Sequence, residues 1–367
     1  MKATTRPTTR ATTRVTTTAG PDPARAGEDY LECVGRADEF AAVDLVLRLL
    51  REGADAERLL LELIAPAQRR IGELWAAGEW SVAREHGATA VSERAVAAII
   101  AQVRPRPTRG RVTVACTDGE YHALPTRLLA EVLRLRGWRI EFLGASVPGP
   151  HLITHLHQSG PDVVALGCAL ATRLPRAHAT ITACQAVGVP VMAGGGGFGP
   201  DGRYARLLGA DAWAPTADAA ADHLEREGLE GLPALPATPG ALAHLGDEEY
   251  THLRRRRAEL LERAMATLAR VYPPMARYGP EQVEATAEDL GHLVDFLAAA
   301  LYVDDAPVFT GFVGWAGSVL GARGIPAEAL RVGLRVFHDE LRDFPRARHM
   351  LARGIETAHV TGADQES

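Results

Sequence analysis

The chain is short of cysteine, of apolar runs and of excess positive charge, and each shortage closes a class of function. Its four cysteines, Cys33, Cys116, Cys168 and Cys184, show neither C-x-x-C spacing nor the density of a secreted disulfide scaffold. They read as reduced thiols of a cytoplasmic protein. No apolar stretch approaches the roughly 20 residues needed to cross a bilayer, so no membrane role is expected. The formal net charge of -6 argues against a whole-surface affinity for nucleic acid. A phosphate cradle is missing too. The first strand-to-helix turn, "TDGEYHALPTRLL" from Thr117 to Leu129, lacks the glycine-rich loop that brings bare backbone N–H groups to a phosphate. It offers Glu120 and His122 instead.

What is present is ordinary globular material, 367 residues with 47% hydrophobic and 23% charged, enough for two or three domains. Residues 1–27 repeat a Thr-Thr-Arg unit with no acid before Asp22 and are expected to be a disordered tail. Residues 28–104 are helical text, read as a four-helix-type bundle: Leu59, Leu60, Leu63 and Ile64 recur at helical spacing, and Gly53 and Gly78 stop two of the helices. From 108 to 228 the short runs "VTVAC", "WRIEFLG", "DVVALG", "VPVMAG" and "DAWA" alternate with helical patterns. That alternation implies right-handed βαβ crossovers and a five-stranded parallel sheet of the flavodoxin or Rossmann-like kind. Residues 229–246 form a Pro/Gly-rich linker, and 247–360 an all-α domain broken at "YPPMARYGP", "YVDDAP" and "ARGIPAE". The run Arg254 to Arg257 reads as one solvated helical turn.

In a parallel sheet the loops at the carboxyl ends of the strands share one edge, which gathers "DGEYHALP", "GCALAT" and "GGGGFGP" into one site. A neutral imidazole binds a transition metal through one nitrogen while the other donates to a carboxylate that fixes its tautomer. Glu120 is placed to be the partner of His122, with Asp118 as a competitor. Gly194 to Gly197 remove side chains over four residues, giving either a slot for something elongated or an ordinary turn. In the bundle, Trp75 ends one helix, Ser81 caps the next, and Glu85 and His86 follow in its first turn. These three are either a wall facing the sheet edge or a core indole beside a solvated Glu-His pair.

Taken in order, Trp75-x9-Glu85-His86, Glu120-x-His122-x-x-Pro125, Cys168-x-Leu170 and Gly194-Gly195 resemble the cobalamin-binding module, and more narrowly that of adenosylcobalamin-dependent photoreceptors. The likeness spans about residues 28–228. It implies that His122 is the lower axial ligand to cobalt and that the nucleotide tail runs into the sheet along Cys168, Leu170, Gly194 and Gly195. It implies further that Trp75, Glu85 and His86 cap the upper face where the adenosyl group sits. The family pattern has Asp where Glu120 stands, Gly where Pro125 stands and Ser where Cys168 stands, and the photoreceptors that form bis-histidine cobalt carry His where this chain has Ala76. That photoproduct is therefore not expected.

No helix-turn-helix domain is read in residues 1–27. The segments "DLGHLVDFLAAAL" and "FTGFVGWAGSVLGARGIP" resemble instead the globin-like sensor domain of the photocobilins, in which a bilin lies next to B12. The resemblance implies a bilin slot to which His292, Phe296, Tyr302, Phe309, Phe312, Trp315 and Arg323 bring suitable side chains, though the aromatics equally suit helix packing and His292 a buried, satisfied site. No cysteine follows residue 184, which excludes a thioether link in this domain and leaves biliverdin held non-covalently. The expectation is a light sensor rather than an enzyme, working as a homo-oligomer with a downstream protein partner. The rivals are the corrinoid subunit of a methyltransferase and a light-insensitive cobalamin-responsive scaffold.

Overall fold

The computed structural model describes residues 20–227, 240 and 242–363. Most of the Thr-Thr-Arg tail and most of the Pro/Gly-rich linker lie outside the described residues. Four helices carry the bundle: α1 (Gly27–Gly35), α2 (Glu39–Arg51), a third that starts as α3 (Ala56–Arg58) and runs through a π-helical stretch (Leu59–Ile64) into α4 (Ala65–Ala76), and α5 (Val82–Val103). Short polar side chains set their starts. Asp38, Asp55 and Ser81 accept from the backbone N–H of Ala41, Arg58 and Arg84 at 3.0, 2.9 and 3.2 Å, satisfying donors that the first turn leaves unpaired. Gly53 and Gly78, with φ of 95° and 74°, end α2 and α4. The π-helical stretch was not legible as a change in periodicity. It ends two residues before Pro66, whose ring has no N–H to give and clashes with the carbonyl four residues back, that of Glu62 within the stretch, so the helix widens there.

The sheet has the order β2-β1-β3-β4-β5, all parallel. Its strands are β1 (Arg111–Cys116), β2 (Arg139–Gly144), β3 (Val163–Gly167), β4 (Val191–Gly194) and β5 (Ala212–Ala214). β1 and β3 are buried on both faces, which is why they read as unbroken apolar runs rather than alternating ones. On one face lie α6 (Ala123–Leu135) and α10 (Ala217–Glu227); on the other, α7 (Gly149–Ser159), α8 (Leu174–Ala186) and the short α9 (Arg203–Leu207). The core of the first face is continuous with that of the bundle: Leu60, Ile64 and Ile99 belong to the same buried cluster as Leu124, Leu128 and Leu224. Bundle and sheet are thereby held in one relative orientation.

The C-terminal domain is helical throughout: α11 (Glu249–Arg255), α12 (Arg257–Val271), α13 (Pro280–Val303), α14 (Ala306–Ala322), α15 (Ala327–Glu340) and α16 (Pro345–Ala363). It has its own core around Leu297, Phe309, Leu334 and Leu351. The four-arginine run is not one solvated turn. Arg256 breaks the helix there, Arg257 places both guanidinium donors on Asp295 at 2.8 and 2.9 Å, and Arg254 joins them at 3.2 Å.

The turn between α13 and α14 joins this domain to the sheet. Val303 and Val308 pack into the sheet's second core. Tyr302 shares a 2.7 Å hydrogen bond with His178, and Asp305 accepts from Tyr204 and Arg203 at 2.7 and 3.1 Å. Asp305→Ala leaves the hydroxyl of the buried Tyr204 without its acceptor and is expected to cost about 1–2 kcal/mol. Thermal unfolding of the full chain measures this, and a midpoint equal to wild type contradicts it.

Candidate functional site

The loop after β1 carries the chemistry. Glu120 is a buried acid, its side chain 1% exposed, whereas the His122 ring is 60% exposed. One carboxylate oxygen of Glu120 accepts from the His122 backbone N–H at 2.9 Å and from its Nδ1 at 2.6 Å. The other accepts from the backbone N–H groups of Ala169 and Leu170, at 2.9 and 3.0 Å. Burial by itself would push this carboxyl up, but the hydrogen bonds from His122 and Leu170 outweigh it and hold it down at about 2. A carboxylate only accepts, so Nδ1 must carry a proton, and in the neutral ring Nε2 keeps its lone pair. The His122 ring is raised above its ordinary value, first by the Glu120 hydrogen bond, with burial opposing and the charges of Glu120 and Glu85 adding to it. Glu120, rather than Asp118, is therefore the partner; Asp118 is engaged by Arg176 at 2.9 Å. The extra methylene of Glu lets one side chain hold the imidazole and reach the loop after β3.

That second loop holds Cys168 and Leu170. The Cys168 thiol is buried and donates to the Leu170 carbonyl at 3.3 Å; burial, then the charge of Glu120, push it up to about 12, so it stays a neutral thiol. Gly195 has a φ of 101°, and a Cβ there would lie 2.4 Å from the Cys168 carbonyl oxygen. Only glycine lets the loop after β4 seat against the loop after β3. The expected four-residue slot is shorter than its sequence: Gly194 is half-buried and Gly195 and Gly196 exposed, but Gly197 and Phe198 are buried and fill the far end.

Across from His122 stands the start of α5, close enough that the Glu85 charge acts on the His122 ring. Glu85 faces His86 Nδ1 at 2.6 Å and accepts from Thr89 at 3.0 Å, and Thr89 accepts from Gln68 at 2.7 Å. The Glu-His pair is thus tied into the bundle through Glu85, while His86 itself is exposed. Trp75 is half-buried and turned to the C-terminal domain, its ring 5.9 Å from that of Trp315.

Of the residues offered for a bilin, the structure groups four. His292 and Phe296 stand one turn apart on α13; Phe296 stacks on Phe312 of α14 at 3.9 Å, and Phe312 lies 5.8 Å from Trp315. His292 is exposed rather than buried, and Trp315 is 46% exposed. Three belong elsewhere: Phe309 is core, Tyr302 is in the seam with His178, and Arg323 reaches the bundle. Phe309 and Tyr302 are drawn off because apolar periodicity cannot tell a pocket wall from packing. Arg173 was missed. It starts α8 beside Gly119, acts on the His122 ring, and has a buried Nε without a partner among the described residues. Thr89 was missed as well, though its place four residues after Glu85 was visible as helical spacing.

Among the described residues no group of three or more His, Cys, Asp or Glu side chains is arranged to hold a metal ion. One imidazole with a free Nε2 suits a metal that arrives inside its own macrocycle and needs a single protein ligand. The comparisons with known proteins define the class. Residues 26–100 match one B12 binding domain model and residues 110–225 match another. The chain therefore carries a two-part B12-binding unit, its helical part capping a Rossmann-like part. It is 31% identical over 180 residues to the HTH-type transcriptional repressor CarA of Myxococcus xanthus, a match that covers 48% of this chain and 59% of the repressor, less than two thirds of that relative. It is 21% identical over 197 residues to the trimethylamine corrinoid protein of Methanosarcina barkeri, covering 52% of this chain and 90% of that protein. Among solved structures, the monomethylamine corrinoid protein of Methanosarcina barkeri aligns with a TM-score of 0.48 at 16% identity, over 54% of this chain and 96% of that one.

Replacing Glu120 tests the site's framework. Glu120→Ala orphans the three backbone N–H groups of His122, Ala169 and Leu170 and is expected to cost about 2 kcal/mol or more. Glu120→Gln costs a similar amount, because its amide group offers donors where four donors already converge. Chemical denaturation reads both; a Gln variant as stable as wild type contradicts the four-donor geometry.

Proposed function

We propose that this chain is a light sensor that binds adenosylcobalamin in its B12-binding unit and biliverdin, non-covalently, in its C-terminal domain. The observation that carries the reading is the ring of His122, fixed by the Glu120 carboxylate, with Glu85 of the bundle near enough for its charge to act on it; Trp75 and His86 would complete the cap. His122 would hold cobalt from below, with Glu120 fixing the ring. Cys168, Leu170, Gly194 and Gly195 would border the nucleotide tail, since their loops leave little side chain in its way. Trp75, Glu85 and His86 would enclose the adenosyl group. When bound, the corrinoid supplies a cobalt–carbon bond that light can break. The cap residues would contact the adenosyl group only while it is in place, and that difference in contacts would set the free energy available for switching.

For the bilin, support comes from the exposed edge of the α13–α14 pair, where His292 and Trp315 flank the Phe296–Phe312 stack. The output is proposed to pass through a change in domain arrangement or in a homo-oligomer to a protein partner, in the cytoplasm, with no enzymatic step on this chain. Among the described residues no helix is long and apolar enough to cross a membrane. A second reading, as the corrinoid subunit of a methyltransferase, draws on the match to the trimethylamine corrinoid protein over 90% of its length. The cap favours the first, because Trp75, Glu85 and His86 suit a large polar upper group better than a methyl.

Purified protein loaded in the dark with adenosylcobalamin and biliverdin is expected to change its absorption on illumination, and a spectrum indifferent to light contradicts the sensor. His122→Ala is expected to give a cobalamin spectrum without protein imidazole. Trp75→Ala is expected to lower affinity for adenosylcobalamin about tenfold while changing that for methylcobalamin little, as loss of a buried aromatic contact implies; equal losses for the two contradict the cap.

A further inference from the structure

Trp75 is gripped by the other end of the chain. Arg323, just past the end of α14, donates from one guanidinium nitrogen to the Trp75 carbonyl at 3.2 Å, and from another to the Val319 carbonyl of its own helix at 3.0 Å. The same guanidinium lies 5.3 Å from the centre of the Trp75 ring. One cation thus serves the carboxyl ends of two helices and an indole face. Each is a favourable place for positive charge, the first because the carboxyl end of a helix carries partial negative charge, the second because of the ring quadrupole. Among the described residues no carboxylate forms an ion pair with Arg323, although Asp289 on α13 is near enough to feel its charge. Trp315 adds a second contact, its ring tilted 30° to that of Trp75 with centres 5.9 Å apart. It remains 46% exposed, so much of the indole is unused by the docking contact. Gly78 brings the turn after α4 up to α14, a Cβ there coming to 3.5 Å from the Ala322 carbonyl oxygen.

From this geometry we infer that Arg323 and Trp315 are positioning residues of the B12 site: they hold Trp75 in its capping place and so make the C-terminal domain part of the discrimination among upper ligands. The inference rests on the cobalamin reading above. It has a necessary counterpart, because coupling between two binding events is reciprocal. If the docked C-terminal domain favours the adenosyl form by some factor, the adenosyl form favours docking by the same factor. A corrinoid that loses its adenosyl group would then loosen the Arg323 and Trp315 grip on α4, which carries the change to the C-terminal domain without any contact between that domain and the cobalt. Arg323 is exposed, so its replacement removes these contacts without opening a core.

The test titrates the apo protein in the dark with adenosylcobalamin and with methylcobalamin, followed by absorption, for wild type, Arg323→Ala, Arg323→Lys and Trp315→Ala. Arg323→Ala and Trp315→Ala should each lower the adenosyl-over-methyl affinity ratio about threefold, the size of an exposed cation–π or aromatic contact, with methylcobalamin affinity unchanged. Lysine keeps the charge but not the planar fork, so it should recover part of the ratio. Amide exchange in α14 should be slower in the adenosyl-loaded than in the methyl-loaded wild type, and equal in Arg323→Ala. An unchanged ratio in both folded variants, with wild type still binding both corrinoids, overturns this inference and leaves the cobalamin reading standing. Wild type that binds neither corrinoid removes the reading and the inference together.

Discussion

The site hangs on one carboxylate. Glu120 is buried, ionised and fully engaged, and its four hydrogen bonds join the loop after β1 to the loop after β3 while fixing the ring of His122. A buried charge is tolerated only when it is paired or hydrogen-bonded, and here the partners are the parts that must be placed together. The strongest constraint in the loop and the choice of histidine tautomer are therefore one interaction. In the neutral ring it leaves a single lone pair, the one donor that a metal already bound in a macrocycle would need from the protein.

A second constraint is the continuity of cores. Because the bundle shares its buried cluster with the α6 and α10 face of the sheet, the start of α5 is held opposite the β1 loop rather than free to wander. Among the described residues the C-terminal domain meets the rest through Tyr302, Val303 and Asp305 at the sheet, through α13 against the helical turn Ala171–Arg173, and through Trp315 and Arg323 at α4. The sheet-side contact is the more buried and polar; the α4 contact rests on a half-exposed indole and an exposed guanidinium. Polar and exposed contacts of the second kind are individually weak.

Much of this was legible in the amino-acid order. The five strand runs and their parallel arrangement followed from β-branched apolar stretches alternating with helical text, and the helix ends at Gly53 and Gly78 from residues that tolerate a left-handed backbone. The pairing of Glu120 with His122 was visible as spacing. What was hidden depends on distance in space. Nothing in the sequence shows that Glu120 also binds the backbone of Ala169 and Leu170, that Phe198 closes the glycine run, or that Arg323 crosses to Trp75. The bilin slot was over-read for the same reason, since Phe309 and Tyr302 have the right chemistry in the wrong places.

The central claim is that His122 supplies the lower nitrogen to cobalt, and unpaired-electron spectroscopy reads that bond itself. With the bound corrinoid reduced to its cobalt(II) form, coupling to one axial nitrogen of the common isotope splits each cobalt line into a triplet. Protein grown with histidine labelled by the heavy nitrogen isotope should convert those triplets to doublets. Triplets that persist in the labelled protein would mean that the nitrogen belongs to the cofactor's own base, and would contradict the account.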